Sequence, residues 1–201
     1  MQGVEHSGRL AATDLACRRG DRVLFAGVSF ALAQGEALHL TGPNGVGKSS
    51  LIRILAGLLR PFAGSVARDG AMSLADERAA LDADLPLGRA LDFWTRFDRA
   101  AGKPVEALGL ADLLDVPVRF LSTGQLKRAA LARMFAIDAP IRLLDEPLNG
   151  LDASAAGIVE ALVAEHCGAG GIAVIASHQP FAFAGLRRLE LTEFAPEPRA
   201  A

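Results

Sequence analysis

Eight consecutive residues, Gly42-Pro43-Asn44-Gly45-Val46-Gly47-Lys48-Ser49, constrain this chain more than any other segment. They follow the apolar run Ala37-Leu38-His39-Leu40. They precede a stretch, Ser49 to Leu59, in which Leu51, Ile54, Leu55 and Leu58 recur at helical spacing until Pro61 blocks continuation. Strand, glycine-rich turn and helix in that order make an α/β unit. The glycines let the backbone fold so that successive N–H groups point inward, and the helix behind them turns its positive end to the same place. The pattern G-x-x-x-x-G-K-[ST] is a phosphate cradle, with Lys48 near the β and γ phosphates and the Ser49 hydroxyl placed to ligate Mg²⁺. Lysine is scarce (Lys48, Lys103 and Lys127 only), so its presence at this position carries weight.

The rest of the chain extends the α/β reading. Leu10 to Cys17 and Val23-Leu24-Phe25 are short apolar runs, and Val28 to Ala33 alternates apolar with small residues. Gln34-Gly35-Glu36 reads as a turn leading into Ala37 to Leu40, which predicts an antiparallel hairpin there. A helix-rich segment covers about residues 87 to 115, and a second helix runs from the Ser122-Thr123-Gly124 corner to about Asp138. Ile141 to Leu144 reads as a strand, Ala153 to Glu165 as a helix and Ile172 to Ala176 as a strand. This alternation predicts a largely parallel sheet. No internal repeat is present, and the tail Ala195 to Ala201 is expected to be disordered.

Composition removes several function classes. With 201 residues, the chain is long enough for one domain with a sizeable core and no disulfide or metal staple. Its 21 Lys+Arg against 23 Asp+Glu argue against nucleic acid as the main partner. Cys17 and Cys167 are isolated, which fits a reducing compartment and speaks against a zinc ribbon. The longest stretch free of Asp, Glu, Lys and Arg, His166 to Leu186, is interrupted by Gly, Pro, His and Gln and is too polar for a membrane helix. The first residues, MQGVEHSGRL, show no hydrophobic segment of the signal-peptide kind. The expectation is a soluble, cytosol-facing protein whose membrane role, if it has one, is supplied by a partner.

A nucleotide clamp also needs a carboxylate-bearing strand, and Ile141-Arg142-Leu143-Leu144-Asp145-Glu146 supplies one. Asp145 is placed to hold Mg²⁺ and Glu146 to polarise the water that attacks the γ-phosphate. A guanine reader of the Asn-Lys-x-Asp kind is missing, since neither Asn44 nor Asn149 is followed by Lys. Instead Leu121-Ser122-Thr123-Gly124-Gln125 opens the helix before the acidic strand, which reads either as a capped helix start or as a second anion cradle.

Together these residues resemble the nucleotide-binding subunits of ABC transporters, over nearly the whole chain. GPNGVGKS looks like the Walker A motif, LSTGQ the signature, RLLDEP the Walker B, Asn149-Gly150-Leu151-Asp152 the D-loop and Ser177-His178 the switch histidine. The resemblance implies an α/β fold of the P-loop NTPase type. It has an antiparallel β subdomain and an inserted helical subdomain at about 75–120, all in one domain over residues 1–201. It implies ATP and Mg²⁺ as cofactors and an ATP-sandwich dimer with a second copy. Ser122, Gly124 and Gln125 of one copy then face ATP on the other, and His178 senses the γ-phosphate in cis. It also implies an integral membrane subunit as partner, docked at the helical insertion, where Leu91, Phe93, Trp94 and Phe97 are candidate contacts. A helix of this composition is equally a core element.

Two positions depart from the family pattern. No Gln lies between Gly35 and Gly124, so Glu77 or Arg78 occupies the place of the Q-loop glutamine. The chain has no Tyr, and Arg19 stands near the place of the adenine-stacking aromatic, where its guanidinium plane is a candidate stacking surface. The switch segment His178-Gln179-Pro180 and the absence of a C-terminal regulatory extension are similar to the ATP-binding subunits of haem exporters in cytochrome c maturation. That narrower resemblance implies work at the cytoplasmic face of the bacterial inner membrane, with an exporter of another substrate, such as a lipid or lipoprotein, as the alternative. The chain has room for neither the long coiled coils of chromosome-type members nor a second cassette. The presence of both Glu146 and His178 argues against a non-hydrolysing module.

Overall fold

The computed structural model describes residues 8–76, 78–95, 103–181 and 183–196. The chain opens with two long strands, β1 (Arg9–Arg19) and β2 (Arg22–Leu32), paired antiparallel from Arg19↔Arg22 to Leu10↔Leu32. A short strand β3 (Ala37–Thr41) leads into helix α1 (Lys48–Leu55), and β4 (Ala63–Asp69) returns to the free edge of β1. Then follow β5 (Met72–Ala75), α2 (Leu87–Thr95), α3 (Lys103–Ala107), α4 (Thr123–Ala136), β6 (Ile141–Asp145), α5 (Ala153–Gly168), β7 (Ile172–Ala176) and β8 (Leu186–Glu190). Two sheets result: an antiparallel one of order β2-β1-β4 and a five-stranded one of order β5-β6-β7-β3-β8, parallel throughout.

The expected hairpin between Val28–Ala33 and Ala37–Leu40 does not form. The antiparallel partner of β2 is β1, across the Gly20-Asp21 turn, and β3 leaves for the other sheet between β7 and β8. The reason is burial on both faces. Ala37, Leu38, His39 and Leu40 are all buried, the pattern of a central parallel strand, whereas β2 shows one face to solvent along most of its length. The turn is tied accordingly, with the Gly35 amide donating to the Gly171 carbonyl at 3.1 Å, just before β7. The helix from the Ser122 corner ends at Ala136, and the helix expected at 153–165 runs to Gly168. Of the tail 195–201, residues 197–201 lie outside the described residues.

The parallel sheet separates two cores. Leu38, Leu40, Leu143 and Val174 face the antiparallel sheet and α1, packed with Leu51, Ile52, Leu55 and Phe25. Ala37, Leu144, Ala173 and Ile175 face the other way, against Leu87, Leu131, Phe135, Val159 and Val163 of the helical layer. Each fully buried Leu, Ile, Val or Phe contributes about 1.5–3 kcal/mol relative to exposure. The result is a stiff platform whose strand ends carry the polar residues. Among the described residues, no helix is long and apolar enough to cross a membrane.

Candidate active site

The loop between β3 and α1 is held from below and closed from above. At its root, the Thr41 hydroxyl donates to Glu190 at 2.7 Å, joining the ends of β3 and β8. Hydrogen bonds from Thr192 and Thr41 hold the Glu190 carboxyl below its ordinary range. At its end, Gly47 has φ 119°, and a Cβ there would stand 2.9 Å from the Phe25 ring and 3.3 Å from Leu24 Cβ. Only glycine satisfies both the backbone angle and the space. β2 thus presses the loop into shape, a contact between sheets that the eight-residue pattern does not show.

Lys48 is buried, and its ammonium donates to the Gly42 carbonyl at 2.8 Å and the Pro43 carbonyl at 3.4 Å. It also faces Glu146 Oε1 at 3.6 Å. The Ser49 hydroxyl donates to Asp145 Oδ1 at 2.9 Å, across 96 residues of sequence. Asp145 ends β6 and is buried, and Glu146 follows it with φ 47°, an uncommon conformation for a side chain of that size. The turn is fixed by the Glu146 amide donating to the Ala176 carbonyl at 2.8 Å, and it aims the carboxylate back over the loop. There Glu146 Oε2 meets His178 Nδ1 at 2.9 Å and the His178 amide at 3.4 Å. Lys48 at the start of α1, Glu146 after β6 and His178 after β7 thus converge at the cradle.

These groups border a cleft of about 400 Å³ lined by Leu24, Asn44, Gly45, Gly47, Lys48, Ser49, Ser50, Glu146, Asn149 and His178. Pro43 lends only its carbonyl, Val46 is buried beneath the loop, and Asp145 is reached through Ser49. The apolar wall is Leu24; Arg19, expected near an adenine, sits at the exposed end of β1 and is not among the lining residues. Leu24, Ser50 and the Gln179 side-chain amide, which donates to Asn149 Oδ1 at 3.3 Å, are site residues that sequence reasoning does not single out. The switch segment His178-Gln179 is the available signal for the last of these.

Ser122, Gly124 and Gln125 are not brought to this cleft. Ser122 caps α4 reciprocally: its hydroxyl accepts from the Gln125 amide at 3.3 Å and its own amide donates to Gln125 Oε1 at 2.8 Å. Gly124 lies against the D-loop, where an added Cβ would stand 3.1 Å from the Gly150 carbonyl. Of the residues expected to meet a partner, Leu91 is buried in the second core, Phe93 is 54% exposed, and Trp94 is half-buried. Phe97 and Glu77 lie outside the described residues, and Arg78 is exposed with its amide on Asp76 Oδ1 at 2.9 Å.

The sequence profile of the family described as ABC transporter matches residues 25–149, from β2 through the cradle and α4 to the D-loop. The chain belongs to the ABC transporter family. Its curated relatives narrow this. The cytochrome c biogenesis ATP-binding export protein of Novosphingobium aromaticivorans is 61% identical over 93% of this chain and 97% of its own length. The protein of the same name from Sphingopyxis alaskensis is 52% identical, over 90% and 95%. Among solved structures, an ABC transporter ATP-binding protein from Pyrococcus furiosus superposes with a TM-score of 0.81 at 20% identity, covering 94% of this chain and all of its own. That likeness shows the fold. The ABC membership makes this chain an ATP-binding domain, and the P-loop core with its antiparallel and parallel sheets is the fold of an ABC ATPase.

Proposed function

We propose that this ABC chain hydrolyses ATP to drive a membrane transporter that exports haem for c-type cytochrome biogenesis. The observation that carries hydrolysis is the Glu146 carboxylate, aimed over the cradle between Lys48 and His178. The amides of Gly45, Val46, Gly47, Lys48 and Ser49 and the Lys48 ammonium hold the β and γ phosphates, with Asn44 at the rim. Ser49 and Asp145 offer two hard oxygens 2.9 Å apart, and that donor set suits Mg²⁺, which binds through one or two protein oxygens plus phosphates. Bound there, Mg²⁺ would neutralise charge that builds on the phosphate oxygens. Glu146 takes a proton from a water whose oxygen attacks the γ-phosphorus; the bond to the bridging oxygen breaks, and ADP departs with its electron pair. His178 donates to the γ-phosphate and keeps Glu146 in register.

Ser122, Gly124 and Gln125 are not among the residues lining the cleft of their own chain, and in this reading they serve the cleft of a second copy. The membrane subunit docks on the groove of about 450 Å³ lined by Leu85, Pro86, Arg89, Asp92 and exposed Phe93. The complex works at the cytoplasmic face of the bacterial inner membrane and does not act on nucleic acid. Haem as the cargo is supported by the relatives named cytochrome c biogenesis ATP-binding export proteins.

The test is Mg·ATP turnover by the complex of this chain with its membrane subunit, reconstituted in liposomes. Haem should stimulate turnover, and Phe93→Asp should abolish the stimulation while leaving the isolated chain's rate unchanged. Stimulation by lipid alone would overturn the substrate, and absence of any ATP hydrolysis would overturn the enzyme.

A further inference from the structure

α4 carries the Ser122–Gly124 segment at its start and Arg133 in its last turn, on the order of 13 Å further along the axis. Arg133 is buried although it is charged. Its guanidinium stacks on the Trp94 ring of α2, with Cζ 4.7 Å from the centroid. Nη2 donates to the Leu74 carbonyl of β5 at 3.5 Å, and Asp76, just past that strand, supplies the opposing charge. Among the described residues Nε has no hydrogen-bond partner. Trp94 in turn donates its indole N–H to the Ala80 carbonyl at 3.0 Å, and Ala80 has φ 50°. One guanidinium therefore joins three parts: the helix that begins at the signature, the helix that borders the Phe93 groove, and the segment leaving β5. β5 pairs with β6, the strand that ends in Asp145.

A buried charge with one long hydrogen bond and an orphaned nitrogen is a poor way to fill a core, since an apolar side chain of similar volume is commonly as stable or more so. The arrangement suits a joint. A 14-residue helix moves as a rod, so a displacement at Ser122–Gly124 reaches Arg133 with little loss.

We infer that Arg133 and Trp94 are positioning residues that couple engagement of the signature end of α4 with nucleotide to the 74–80 segment and to the groove beside α2. This rests on the proposed ATP site and deepens it by naming how the site is linked to the docking surface.

Trp94 is the single Trp in the chain, so intrinsic fluorescence reports this joint alone. The experiment titrates the full-length protein with Mg·ATP, following Trp94 emission while a fluorescent ATP analogue measures occupancy separately. Emission should change and saturate with occupancy. Arg133→Lys keeps the charge and loses the planar stack, so it should cut the amplitude and lower kcat by about 2- to 30-fold with KM for ATP nearly unchanged. Trp94→Phe, which keeps a ring and loses the Ala80 bond, should lower kcat in the same way. Full occupancy with unchanged wild-type emission overturns the inference without needing any variant, as does an Arg133→Lys protein with parental amplitude and kcat. Failure of the analogue to bind at all would instead overturn the ATP site itself.

Discussion

Replacing Glu146 by Gln separates what this side chain does for chemistry from what it does for binding. The amide keeps the length of the carboxylate and can still accept from the His178 amide and ring, at 3.4 and 2.9 Å in the parent. It cannot take a proton from water. A positioned general base contributes about 10²–10⁴-fold to rate, so kcat should fall by that factor, a barrier increase of roughly 3–5 kcal/mol. The second effect runs the other way. Glu146 Oε1 faces the Lys48 ammonium at 3.6 Å, and Coulomb's law at an effective dielectric of about 20 gives a gross attraction of roughly 4–5 kcal/mol at that separation. Desolvation of this largely buried pair offsets most of that attraction and leaves a net contribution of about 1 kcal/mol. The neutral amide releases Lys48 for phosphate, so ATP should bind about fivefold more tightly.

The variant therefore binds ATP more tightly while turning over very slowly. Single-turnover phosphate release gives the rate, and equilibrium titration with a fluorescent ATP analogue gives the affinity. Size-exclusion chromatography with ATP should show dimer accumulating, because the bound nucleotide is not consumed. A Glu146→Gln protein that turns over at the parental rate refutes the assignment of the base. One that turns over slowly but has lost ATP affinity places Glu146 in binding and refutes the electrostatic argument.

Lys48→Ala deletes the ammonium that bonds Gly42 and Pro43 and is positioned for phosphate; ATP should bind about 10- to 100-fold more weakly by isothermal titration, and an unchanged Kd contradicts the cradle. Gly47→Ala forces a Cβ against Phe25 at φ 119°, with strain of about 1–3 kcal/mol, so the thermal midpoint should drop and ATP binding weaken together; a variant with both intact refutes the role of the β2 contact. His39 lies buried behind the loop, and among the described residues neither ring nitrogen makes a well-formed hydrogen bond. Burial holds its pKa below the ordinary 6.5, against a weaker upward pull from the Ser177 backbone. As pH falls, the unfolded chain takes up this proton first. The contribution of neutral His39 is fully present above about pH 6.5 and is lost as pH falls from there through the folded-state value. Thermal midpoints measured down this range should fall less steeply for His39→Leu than for the parent, and equal slopes contradict the reading.

The parts of the site legible in the sequence are those made by contiguous residues. The Gly42–Ser49 turn and the Ile141–Glu146 strand end announce themselves by pattern, and their meeting at Ser49 and Asp145 follows from the chemistry each needs. Leu24 was not legible, because its role comes from the way β2 lies across the loop, a sheet-to-sheet contact with no local spacing. The misplaced hairpin has the same origin: a glycine turn joins β2 to β3, but the two-sided burial of β3 decides its neighbours. β4, β5 and β8 carry no signal in the sequence, for reasons of composition. β4 is exposed along nearly its whole length, β5 has four residues, and β8 reads Leu-Arg-Arg-Leu-Glu, so none shows an apolar period. In α2 the apolar cluster was visible but its phase was not, and the structure sends Leu91 inward and leaves Phe93 outside.

The contacts around Glu146 tie its freedom to meet water to the arrival of ATP. Lys48 divides its charge between Glu146 and two loop carbonyls, and Glu146 is held by Lys48 on one side and His178 on the other. Phosphate competes for Lys48 with greater charge and better geometry, so the arrival of ATP itself draws the ammonium away from Glu146 and leaves the carboxylate to the attacking water. His178 is then free to choose between the carboxylate and the γ-phosphate, and it can bridge them when both are present. The cleft is open on the side where its own chain offers no cover, while Ser122 and Gly124 stand elsewhere on the same molecule. On the proposed reading a second copy brings those residues across and excludes water, so that hydrolysis waits first on ATP and then on pairing. Such an order suits a subunit whose turnover has to wait for its transporter.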